Sequence, residues 1–130
     1  MSQENVEILR ENIEAFRRGD WDAVAADWDS HVLVRTDPTW PEQFIYGQEA
    51  VMDWQRSTWE SLGPDVQAEQ IVDLGDRLFI RMCWNTRGQH SGIEQDLRWT
   101  QVNTYRDGRV VFAEYFLDHD QALEAVGLEE

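Results

Sequence analysis

Trp99, Gln101 and Asn103 carry the first chemical signal in the chain. They alternate within a segment rich in aromatic and β-branched residues, so period two sets them on one face of a strand. Two amides on a face that is otherwise covered need hydrogen-bond partners. A bound molecule or ordered water could provide them; so could Tyr115 or backbone groups within the core, and both readings stay open. The histidines, His31, His90 and His119, lack metal-ligand spacing, and Asp118-His119-Asp120 reads as a helix cap. Cys83 lies between Met82 and Trp84 and reads as a small buried apolar residue, with no neighbour to lower its pKa. There is no glycine-rich phosphate loop and no Gly-x-Ser-x-Gly elbow. No metal and no cofactor is expected.

Composition narrows the partners. The 130 residues make one domain, 1–130, with 42% apolar residues, enough for a core without covalent staples. Acids number 26 and bases 11, giving a formal net charge of −15. Every base is an arginine, and they are scattered, so no basic stripe exists to neutralise nucleic-acid phosphates. Anionic membrane surfaces are disfavoured for the same reason. No apolar run approaches the roughly 20 residues of a membrane span. The first residues lack the basic-then-apolar pattern of a secretory signal, so the expected location is cytoplasmic. A single cysteine excludes an internal disulfide.

The elements that must position these residues follow from periodicity. Val6, Leu9, Ile13 and Phe16 mark one face of a first helix, closed by Arg17, Arg18 and Gly19. Asp20 caps a second short helix carrying Trp21, Val24 and Trp28. Strands are predicted at 31–37 and 44–46, and a third helix at 48–62 with Val51, Trp54, Thr58 and Leu62 on one side. Four longer strands follow at 65–74, 77–86, 93–105 and 109–117, with residues 87–92 as a loop and Asp107-Gly108 as a hairpin signal. A closing helix is expected at 120–126. Helices first and strands in meander spacing later predict an α+β fold, with helices packed on one face of an antiparallel sheet. In the last strand, period two sets Val110, Phe112 and Phe116 on one face and Val111, Ala113, Tyr115 and Leu117 on the other. With both faces apolar, the outer one is expected to meet a second copy, giving a homodimer.

This layout resembles the nuclear transport factor 2-like cone, which implies a curved antiparallel (mixed) sheet packed against the N-terminal helices, and within it the SnoaL-like branch. The resemblance rests on Arg35-Thr36-Asp37-Pro38, Tyr46-Gly47-Gln48-Glu49-Ala50, Gly75-Asp76-Arg77, Ser91-Gly92, Arg106-Asp107-Gly108-Arg109-Val110 and the ending from Asp118 to Leu128. It implies a pocket at the wide end of the cone, lined by Trp40, Met82, Trp84, Trp99, Gln101, Asn103 and Tyr115, with Trp40 in an irregular segment over the mouth. SnoaL-like cyclases place an acid seven residues after the hairpin glycine and often a histidine seven before it; here those places hold Tyr115 and Gln101. Limonene-epoxide hydrolases need an arginine and an aspartate where this chain has Met82 and Trp84, so that activity is rejected. Ketosteroid isomerases carry a base aspartate just before a proline, and Asp37-Pro38 resembles it; their helix tyrosine corresponds to Asn12. A carboxylate in an apolar pocket has its pKa raised toward use in proton transfer, whereas an Asp-Pro turn that bonds its own backbone is the plainer reading. The function implied is binding of a small apolar or aromatic molecule, with isomerase- or cyclase-type proton transfer through Asp37. The alternative is a non-enzymatic module whose cone is filled by its own side chains.

Overall fold

The computed structural model describes residues 2–87 and 94–128. The elements run α1 (Ser2–Arg17), α2 (Trp21–Ala26), β1 (Trp28–Arg35), β2 (Phe44–Tyr46), α3 (Gln48–Leu62), β3 (Val66–Asp73), β4 (Arg77–Arg87), β5 (Glu94–Arg106), β6 (Arg109–Phe116) and α4 (His119–Ala125). The expected start of the fifth strand at Ile93, the loop at 88–92, the Ser91-Gly92 pair and His90 lie outside the described residues.

Local chemistry sets the boundaries. The Asp20 side chain accepts the Ala23 N–H at 3.3 Å and starts α2. Asp118 accepts the N–H groups of Asp120 and Gln121 and starts α4, as the capping spacing predicts. Asp107 and Gly108 have φ of 53° and 76°, and Arg106 pairs with Arg109. The hairpin is therefore a two-residue turn with both central residues left-handed, which Asp-Gly tolerates best.

All six strands form one sheet in the order β2-β1-β6-β5-β4-β3. The long strands are an antiparallel meander, but β1 joins β6 in parallel, so the sheet is mixed. The pairing shifts register at three places, one of them between Trp28 and Leu33 on β1, and the two single-residue shifts are bulges that curve the sheet. On β3, Ala68 faces Met82 and Gln70 faces Arg81, leaving Glu69 as the extra residue. On β6, Phe112 faces Thr104 and Val110 faces Tyr105, leaving Val111 over. The second bulge corrects the sequence-based facing of β6. Strict alternation sets Val110 with Phe112 and Phe116; the inserted residue turns Val110 to the side of Ala113 and Tyr115.

The helices α1, α2 and α3 lie in the concave side, where Leu9, Val24, Val51, Leu78, Ile80 and Ala113 form the core. The convex side differs from expectation. Its apolar residues are covered in part by the chain itself: Phe79, Val102, Phe116 and Ala122 pack together, with Leu123 and Val126 beside them. Elsewhere this side is polar. Arg98 pairs with Glu69 at 2.9 Å, and Arg35 with Glu114 at 2.6 Å. The closing helix α4 accounts for the covered part of the two-sided strand pattern.

Candidate functional site

Alternation along the middle strands delivers the site. Met82 and Trp84 on β4, and Trp99, Gln101, Asn103 and Tyr105 on β5, all face the helices, as does Tyr115 on β6. Leu9, Asn12 and Phe16 of α1 and Trp54 and Thr58 of α3 close the opposite side, and Trp40 arrives from the segment between β1 and β2. These residues surround a cavity of about 480 Å³, above the roughly 300 Å³ at which ligand sites begin. Trp40, Met82, Trp84, Trp99, Gln101, Asn103 and Tyr115 all lie on it. Leu97 and Leu117, 39% and 42% exposed, mark its mouth beside Pro41 and Glu42.

The walls are a connected aromatic belt. Phe16 meets Trp84 edge-on at 5.5 Å, Trp84 lies 5.9 Å from Trp99, and Trp99 stacks on Tyr115 at 6.4 Å. Tyr115 meets Trp54 at 5.3 Å and Trp40 at 6.0 Å. Such pairs are worth about 0.5–1.5 kcal/mol each beyond burial, and they hold the belt in shape.

A polar row crosses this apolar wall. Trp99 Nε1 donates to Gln101 Oε1 at 3.1 Å, Gln101 Nε2 to Asn103 Oδ1 at 2.8 Å, and Asn103 Nδ2 to the Tyr105 hydroxyl at 3.4 Å. The amides thus answer much of their own hydrogen-bonding need along the strand, and Tyr115 is not their partner. Each amide nitrogen keeps a second N–H that donates to none of the described residues. The Tyr115 hydroxyl likewise makes no hydrogen bond among the described residues. Burial pushes the Tyr115 hydroxyl far above the ordinary tyrosine range, with Tyr105 adding to it. Burial also pushes Tyr105 up to about 12, against a lowering by Asn103 and with a further rise from Asp27. Both phenols are therefore neutral donors near pH 7, not bases.

The structure separates Asp37 from this cavity. It is 3% exposed, yet its carboxylate is used up locally. One oxygen accepts the Thr39 N–H at 2.9 Å and the Thr39 hydroxyl at 2.6 Å; the other accepts the Leu117 N–H at 2.7 Å. Burial pushes its pKa up, but the bonds from Leu117 and Thr39, helped by Arg35, outweigh that and hold it below the ordinary carboxylate value. The direction is opposite to that expected for a base in an apolar pocket. Arg35 pairs with Glu114 rather than with Asp37 and lies over the Phe116 ring at 5.2 Å.

The carboxylate that does line the cavity is Asp27, between α2 and β1. Asn12 Nδ2 donates to Asp27 Oδ2 at 2.9 Å and to the Val24 carbonyl at 3.0 Å. Burial pushes the Asp27 pKa up, the Asn12 bond lowers it in part, and Glu11 raises it again. Sequence reasoning passed over this pair. The available signal was Asn12 itself, a polar residue inside the apolar stripe of Leu9, Ile13 and Phe16. Among the described residues, no group of three or more His, Cys, Asp or Glu could hold a metal ion. No helix among them is long and apolar enough to cross a membrane.

A curved six-stranded sheet holding three helices over a ligand-sized hollow is the architecture of the nuclear transport factor 2-like class. Within that class the chain belongs to the SnoaL-like domain family, whose model matches residues 9–113. No curated protein matches the sequence. Among solved structures, it is similar to a putative isomerase from Bacillus subtilis, with TM-score 0.76 and 19% identity over 98% of this chain and 95% of that one. It is similar to an NTF2-like protein from Burkholderia xenovorans LB400, with TM-score 0.74 and 19% identity over 96% and 97% of the two chains. It is also similar to TerC co-crystallised with polyporic acid, with TM-score 0.74 and 16% identity over 95% and 98%. At these identities the likeness is one of fold.

Proposed function

We propose that this protein binds a small, largely apolar or aromatic molecule in the cone cavity, with Trp40, Met82, Trp84, Trp99, Gln101, Asn103 and Tyr115 as its contacts. The observation that carries the reading is the aromatic belt interrupted by unused donors, on Gln101, Asn103 and Tyr115, around a volume of about 480 Å³. A mainly apolar wall with a few convergent polar groups is the usual make-up of a ligand site. That volume weighs against a cone filled by its own side chains. TerC, a protein of similar fold, was co-crystallised with polyporic acid.

In this reading Asp37 is a positioning residue. Its backbone carbonyl accepts the Trp40 N–H at 2.9 Å, so the turn it anchors sets Trp40 beside the cavity. An isomerase-type proton transfer in the same cavity would draw on Asp27, the carboxylate whose pKa is raised there. Self-association belongs to the same proposal. Phe44 and Tyr46 are 63% and 64% exposed on the edge strand β2, an apolar pair that a second copy would cover.

The test is a thermal-shift and tryptophan-fluorescence screen of aromatic compounds against the wild type and a Thr58→Trp variant, which sets an indole into the cavity. A ligand at a hundredfold excess over its Kd adds about 2.7 kcal/mol of stability. The expected result is a shift in the wild type that the filled variant loses. An equal shift in both would locate binding elsewhere and defeat the reading.

A further inference from the structure

We propose that the cavity selects organic cations: an amine or quaternary ammonium on an apolar or aromatic body, with Asp27 as the counter-ion and the aromatic belt as the wall. This rests on the ligand-binding reading above and adds the charge class of the ligand.

The charge inventory of the cavity is one-sided. Among the described residues, the lining groups that carry a formal charge at neutral pH are Asp27 and Glu42, both acids; no arginine and no histidine lines it. Glu42 is exposed at the mouth, whereas Asp27 is half-buried against Asn12. Asp27 has no ion-pair partner among the described residues. Its Oδ2 accepts one amide N–H, and its Oδ1 accepts nothing among them. A carboxylate withdrawn from water without a counter-charge is costly, and structures normally pair it. Here the described residues provide no cation, and the side-chain charge that acts on it from α1 is Glu11, a second acid. A ligand ammonium supplies the missing charge.

The wall favours the same ligand. Aromatic rings present negative faces to a cation and bind it without needing a full ion pair. Phe16, Trp84, Trp99, Tyr115, Trp54 and Trp40 form such a wall, each in ring contact with the next. Among the described residues, an anion would meet two carboxylates and no basic side chain. The net charge of −15 also draws cations toward the molecule before contact.

The test uses the whole chain and three probes of one shape: biphenyl-4-methylamine as its cation, biphenyl-4-methanol and biphenyl-4-carboxylate. Isothermal titration calorimetry is expected to rank amine over alcohol over carboxylate. The amine should bind at least about tenfold tighter than the alcohol, at one site per chain, and displace the alcohol competitively. Asp27→Asn should remove most of the amine's advantage over the alcohol. The displacement measurement needs only the wild type, so it decides whether or not that variant folds. Alcohol or carboxylate binding as tightly as the amine overturns cation selection while ligand binding stands. Amine binding that does not displace the alcohol places the cation on the acidic surface and overturns the inference. No binding of any probe brings down both this inference and the reading it rests on.

Discussion

The Asp37 carboxylate accepts the Leu117 backbone N–H at 2.7 Å, joining the end of β1 to the end of β6 across 80 positions of sequence. With Thr39 on its other oxygen, it fastens the segment that carries Trp40 to the rim of the cavity. Asp37→Asn should cost about 1–3 kcal/mol near neutral pH, since it weakens charge-assisted bonds in a buried site. The folded pKa lies below the unfolded one, so the stabilisation is present above the unfolded value of about 3.9 and fades as pH falls through the lower folded value. Urea melts from pH 7 into acid should show the wild type and variant converging. A gap that stays constant with pH would mean the carboxylate charge plays no part.

Asn103 is 1% exposed and stands in the middle of the polar row. Asn103→Leu removes the partner of Gln101 Nε2 and of the Tyr105 hydroxyl together. Leaving such groups buried and unpaired costs about 1–3 kcal/mol each. The expected loss, read from denaturant midpoints, exceeds that of Tyr115→Phe. The Tyr115 hydroxyl has no partner among the described residues, so its removal should change stability by less than about 0.5 kcal/mol. Equal losses in the two variants would contradict the row as drawn.

What the sequence made legible, and what it did not, divides by range. Periodicity gave the helices and the meander, because Leu9, Ile13 and Phe16 or Trp99, Gln101 and Asn103 report their facing through neighbours a few residues away. Inward-facing positions on β4, β5 and β6 were readable for that reason. The facing of Val110 was not, since it depends on the single extra residue Val111, whose presence shows only in the pairing with Thr104 and Tyr105. Asp37 and Asp27 were harder still. Both are aspartates at the end of an element; what separates them is Leu117 donating to one and Asn12 to the other, contacts that no local pattern encodes.

Self-association through the β2 edge should depend on salt. Each chain carries a net charge of −15, so two copies repel at low ionic strength and the repulsion is screened within about 8 Å at 0.15 M. Sedimentation at micromolar concentration should show dimers that dissociate as salt is lowered. Phe44→Glu, adding a like charge at the exposed edge, should shift the equilibrium to monomer. A monomer at every salt concentration would end the proposal.

Asp27 should behave in the opposite sense to Asp37. Burial pushes its pKa up despite the Asn12 bond, with Glu11 of α1 raising it further and the neutral Tyr105 of β5 beside it. A raised folded pKa means the native state holds the proton more tightly than the unfolded chain does. The associated stability is full below the unfolded pKa and is lost as pH rises through the folded one. Asp27→Asn removes the ionisation while keeping an oxygen for the Asn12 amide. The variant should therefore be at least as stable as the wild type at pH 7, with the two converging in acid. Lower stability at pH 7 would show that the carboxylate is held for structural reasons. The expected result shows a charge kept at a cost to the fold, which is how a group retained for a ligand behaves.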